Sequence, residues 1–68
     1  MRYKVSIYFD SGESHGWVVD SSTMLDAVIT FRSEYIKLSG EKMWRPYAQA
    51  VKMEIEVTQF GLYEQQKD

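Results

Sequence analysis

Residues 2–10 read Arg-Tyr-Lys-Val-Ser-Ile-Tyr-Phe-Asp, and the fold turns on their alternation. Tyr3, Val5, Ile7 and Phe9 fall on one side, and Lys4, Ser6, Tyr8 and Asp10 on the other. A period of two in β-branched and aromatic residues marks a half-buried strand, because successive side chains of an extended chain point to opposite faces. The same alternation returns further along, with Val51, Met53, Ile55 and Val57 set against Lys52, Glu54, Glu56 and Thr58. Pro46 lacks a backbone N–H and so belongs before this later strand or at its start. Phe60 is out of phase with it, which places a bulge or the strand's end near Thr58.

Between these strands lie a turn, a short strand and a helix. Ser11-Gly-Glu-Ser-His-Gly16 is polar and carries two glycines, so it reads as a hairpin loop. Trp17-Val-Val-Asp20 resumes a strand with Trp17 and Val19 inward. Asp20-Ser-Ser-Thr23 then supplies side-chain oxygens that can accept from the free N–H groups of a first helical turn. Thr23 with Asp26 forms a loose capping box. The spacing predicts a helix over 23–38, closed by Ser39-Gly40 with Gly40 in the left-handed conformation. Met24, Ala27, Val28, Phe31, Tyr35 and Leu38 make its apolar stripe. A flanking strip of Leu25, Ile29 and Ile36, interrupted by Arg32, makes the apolar arc wider than a small sheet needs.

The order strand, strand, helix, strand predicts an α+β domain. Its sheet is three-stranded and antiparallel in the order 2-1-3, with one helix packed on one face. The odd-numbered residues of both long strands are expected to meet Met24, Val28, Phe31 and Tyr35. The outer face, with Lys4, Ser6, Tyr8, Lys52, Glu54 and Glu56, can then face water. One domain over 1–62 and a polar tail over 63–68, with Leu62 and Tyr63 as anchors, complete the expected organisation.

Composition narrows the classes. The chain has 68 residues, 44% hydrophobic and 26% charged, which suits one folded domain and argues against disorder. So small a chain buries a limited core and usually needs a disulfide, a metal or self-association. It has no cysteine, and His15 is its only histidine, so disulfides are excluded and a structural zinc site lacks ligands. Self-association is therefore the expected compensation. A net charge of −2 offers no general field for a nucleic-acid backbone. No basic start with an apolar run opens the sequence, and no apolar stretch reaches the roughly 18 residues of a span. A soluble cytoplasmic protein with no membrane partner is the expectation.

Residues able to carry chemistry are few. His15 lies beside Glu13 and Ser14, but a triad is a geometry in space that neighbours in a short turn cannot easily adopt. A solvated loop histidine is expected. Glu54 and Glu56 share a strand face and could hold a cation or move a proton. Pairing with Lys52 and Lys4 explains them without function. No glycine loop precedes a helix in the way phosphate binding requires. These readings predict no catalytic residues, no cofactor, no metal and no enzymatic activity.

The two Trp, five Tyr and three Phe residues are more informative. Trp44, Arg45 and Tyr47 cluster around Pro46, and Tyr8 lies on the outer sheet face. Trp, Tyr and Arg are the types enriched at binding hot spots, so these four are candidate partner-binding residues. The structural alternative is that Trp44 caps the core under Arg45. Leu25, Ile29, Arg32 and Ile36 are the candidate self-association residues, unless Met43 and Trp44 fold over them. The leading functional expectation is a non-enzymatic protein-binding module, homodimeric, with an unidentified protein partner. Small cysteine-free domains of this kind are common among phage and mobile-element accessory proteins, which would make that partner a host protein. The alternative is a single-stranded nucleic-acid binder. In it Tyr8, Trp44 and Tyr47 stack bases, and Lys4, Arg45 and Lys52 meet phosphates.

The opening also resembles that of the small antitoxin-like HicB domains, in its tyrosine-rich strand followed by a Gly-Trp strand and a helix. Those domains carry a third strand before the helix and a proline-glycine stretch. This chain has neither, and no residue roles carry over.

Overall fold

The computed structural model describes residues 1–58. Strand β1 spans Arg2–Tyr8, β2 Ser14–Asp20, helix α1 Met24–Lys42 and β3 Lys52–Val57, with a short 3-10 turn at Tyr47–Gln49. The sheet order is β2-β1-β3 with both neighbours antiparallel to β1, as the alternation predicts. Val5 stands opposite Trp17 on one side and Ile55 on the other. The expected phase near Phe60 and the tail at 63–68 lie outside the described residues.

The core follows from the odd parity of β1. Tyr3, Val5, Ile7 and Phe9 are buried with Val19 of β2 and with Ala27, Phe31 and Tyr35 of α1. Thr23 caps the helix as expected, its Oγ1 accepting from the Asp26 N–H at 3.1 Å. The Asp26 carboxylate accepts from the Ser22 hydroxyl at 3.2 Å, and not from a backbone group as a full capping box requires.

Three expectations need correction. The hairpin loop is shorter than 11–16, because β2 begins at Ser14 and takes in His15 and Gly16. Phe9 N–H donates to the Glu13 carbonyl at 2.9 Å and closes the turn, while Gly12 holds φ +97°. That is the glycine bulge of a short hairpin. Second, α1 runs through Gly40 to Lys42, and Met43 takes the left-handed cap at φ 59°. The added turn delivers Trp44 onto the core, and this packing outweighs the helix cost of a glycine. Third, β3 packs only partly against the helix. Met53 and Ile55 are half-buried, whereas Val51 and Val57 are exposed. A helix about 10 Å wide spans two strands about 4.8 Å apart, and α1 lies over β1 and β2. The third strand is left beyond its reach.

Candidate interaction surfaces

Both β3 at the sheet edge and the flank of α1 leave apolar side chains exposed. Arg32 places its guanidinium 5.8 Å from the centre of the Tyr47 ring, so the flank faces the β3 side. On the opposite side of α1, Trp17 of β2 donates its indole N–H to Glu34 at 2.8 Å. Leu25, Ile29 and Ile36 follow one another along the flank with exposures of 69%, 55% and 47%. Met43 and Trp44 do not fold over them. Met43 points into solvent, and Trp44 stacks elsewhere. On β3, Met53 and Ile55 are half-buried and Val57 is exposed. At the Tyr47 end an open depression of about 380 Å³ is lined by Tyr47, Ala50, Val51 and Met53, among others.

The outer edge of β3, which no described strand covers, adds hydrogen-bonding capacity. Thr58 N–H donates to the Arg2 carbonyl at 2.7 Å. Antiparallel ladders alternate inward and outward from such a bond, so Lys52, Glu54 and Glu56 turn their backbone groups toward β1. Met53, Ile55 and Val57 turn theirs outward, where no described strand receives them. Their side chains all lie on the apolar helix-bearing face.

A second cluster joins the hairpin to the connector. The His15 ring stacks on Trp44 with centroids 3.9 Å apart and lies 5.6 Å from Tyr35. His15 Nε2 and a Glu13 carboxylate oxygen are 2.6 Å apart. Arg45 Nε approaches Glu13 at 3.6 Å, and the Tyr35 hydroxyl donates to the Arg45 carbonyl at 2.7 Å. The hydrogen bond with His15 holds the Glu13 carboxyl below its usual range, with help from the Arg45 backbone. Burial pushes the Tyr35 phenol up. The expected solvated loop histidine is thus half-buried among aromatic rings. The parity of Trp17 and Val19, carried back through Gly16, would have placed His15 inward. The glycines on both sides hid that signal behind a loop reading.

Trp44, Arg45 and Tyr47, read from sequence as a binding cluster, are largely engaged internally. Trp44 and Tyr47 pack on Tyr35, and Arg45 reaches both Glu13 and Gln49. Tyr8 lies apart from them on the outer sheet face. Its hydroxyl donates to Glu54 at 2.7 Å, and the Lys52 ammonium stands 5.2 Å over its ring and 3.3 Å from Glu54. The bond with Tyr8, then Lys52, keeps the Glu54 carboxyl below its usual range, and the Tyr8 phenol is raised in turn. Lys4 stands opposite Glu56, whereas Glu54 stands opposite Ser6 and takes its lysine, Lys52, from its own strand.

No protein-family model, curated protein or solved structure matches this chain. Among the described residues no helix is long and apolar enough to cross a membrane.

Proposed function

We propose that this chain is a non-enzymatic protein-binding module that works as a homodimer. The observation that carries the reading is the exposed flank of Leu25, Ile29 and Ile36, which Arg32 turns toward Tyr47. Large apolar side chains exposed together along one strip favour an interface. A domain with so small a core also gains stability by sharing that surface. The internal engagement of Trp44 and Arg45 weighs against them as hot spots and moves the interaction surface to the helix flank. The titratable clusters support a non-catalytic reading, because Glu13, His15 and Arg45 fasten the hairpin while Tyr8, Lys52 and Glu54 satisfy one another.

The same contacts weigh against nucleic-acid binding. The Lys52 ammonium stands over the Tyr8 ring, and two of the three basic groups offered to phosphates, Arg45 and Lys52, already sit on carboxylates. The deciding measurement is light scattering after size exclusion, on the wild type and on Ile29→Glu. The expected result is a dimer that becomes a folded monomer, since Ile29 is 55% exposed and its replacement opens no cavity. A wild type that stays monomeric and retains no protein from a lysate refutes the reading. Salt-sensitive binding of a labelled oligonucleotide would replace it with the alternative.

A further inference from the structure

We propose that two copies join through the outer edges of β3, Glu54 facing Glu54 across a two-fold axis, to make one six-stranded sheet. The inference rests on the homodimer reading and specifies its geometry. Met53, Ile55 and Val57 direct backbone groups outward to which no described strand pairs, and an identical edge satisfies those of Met53 and Ile55. Of the usual edge defences β3 carries only the charged side chains of its outer face, Lys52, Glu54 and Glu56. There is no proline or bulge between Lys52 and Val57, and no charged side chain on the apolar face.

Charge selects the register. Only odd-numbered residues offer outward groups, so the strands can shift only in steps of two. With Ile55 on the axis, each Glu54 faces the partner's Glu56, and both pairs repel. With Glu54 on the axis, each Lys52 faces the partner's Glu56, and Met53 faces Ile55 in both directions. Lys52 to Glu56 then overlap in full, and only Val57 passes beyond the partner's Lys52. One like-charge pair remains, Glu54 with its symmetry mate. Each of these carboxylates already holds a Tyr8 hydroxyl and a Lys52 ammonium, which reduce its field. With Met53 on the axis Lys52 would face Glu54, but Val51 cannot extend the ladder because its N–H is spent on the Tyr8 carbonyl at 2.8 Å.

Shape agrees with charge. In the chosen register the exposed Val57 of one copy comes opposite Val51 of the other, at the mouth of the depression lined by Tyr47, Ala50 and Met53. The flanks of the two α1 helices then overlook the seam from both sides.

The test is a charge exchange read by sedimentation equilibrium on the full chain, with thermal unfolding measured in parallel. Lys52→Glu alone and Glu56→Lys alone each set like charges in both cross-copy pairs. Each is expected to weaken the dimer by about tenfold or more, from the usual worth of a cross-strand pair. The double variant K52E/E56K restores opposite charges between copies but strips Lys52 from the Glu54 on the axis, so it is made and compared in the Glu54→Gln background, where it is expected to recover that background's affinity within roughly threefold. Within one copy the double variant recovers nothing, since the Lys4–Glu56 pairing stays lost. Stability therefore stays low while association recovers, which a purely intrachain effect cannot produce. Glu54→Gln, which removes the repulsion on the axis, is expected to tighten the dimer a few-fold. A dimer indifferent to both single exchanges, or one not recovered by the double, overturns edge pairing while the homodimer reading stands. A wild-type monomer overturns both.

Discussion

Gly40 lies in the last turn of α1, three residues before the left-handed cap at Met43. Replacing it with alanine is expected to stabilise the domain. Glycine in a helix interior costs about 0.8–1.0 kcal/mol relative to alanine, because it surrenders more backbone freedom on folding. A Cβ built at Gly40 meets nothing within 4 Å, so no steric cost offsets the gain. The expected effect is therefore the propensity difference, about 0.5–1 kcal/mol once fraying of the last turn is allowed for. In a domain of this size 1 kcal/mol moves the melting temperature by roughly 4–8 °C, so the rise should be several degrees. Thermal unfolding followed by far-UV circular dichroism reads it directly. Urea unfolding should show a higher midpoint at an unchanged slope. The opposite sign would refute the reasoning. If Gly40 held the left-handed conformation, alanine would cost about 1–2 kcal/mol and the melting point would fall.

Two further outcomes are expected. Gly16→Ala should destabilise by about 1–3 kcal/mol in urea unfolding, as overpacked positions do. Its Cβ would stand 2.5 Å from the Ser6 hydroxyl and 2.8 Å from the Val5 carbonyl, and the carbonyl belongs to the central strand. Glu13→Gln should flatten the acid limb of the stability curve. The Glu13 carboxyl is held below its ordinary value of 4.5, so its contribution is present above that value. It is lost as pH falls through the lower folded-state value, where the carboxylate takes up a proton. Melting temperatures across the acid range should therefore fall less steeply in the variant. An identical slope would detach Glu13 from the latch around His15.

Much of the architecture is legible in the sequence because it rests on parity and local capping. Tyr3, Val5, Ile7 and Phe9 can all be buried only if residues 2–9 are extended, and Thr23 needs only its own helix to act as a cap. The strand order follows from the short hairpin, which keeps β2 beside β1, and from a helix long enough to cross to the other side. The extent of β2 and of α1 is less legible. Glycines at 12, 16 and 40 carry the same local signal but do different work. Gly12 takes a positive φ, Gly16 admits the close approach of β1, and Gly40 is an ordinary helical residue.

The candidate surfaces divide in the same way. The sequence by itself determined that Leu25, Ile29, Arg32 and Ile36 share one strip of a helix, because that depends only on 3.6 residues per turn. It also determined that β3 turns one apolar and one charged face outward from its plane. Only the tertiary structure decided that the helix lies over β1 and β2, which leaves β3 partly uncovered. It also decided that Trp44 closes on His15 instead of on the strip. Both outcomes depend on where a rigid helix settles on a sheet wider than itself. That position is fixed by packing among Phe31, Tyr35, Trp17 and Trp44, residues distant in sequence, and no local pattern encodes it.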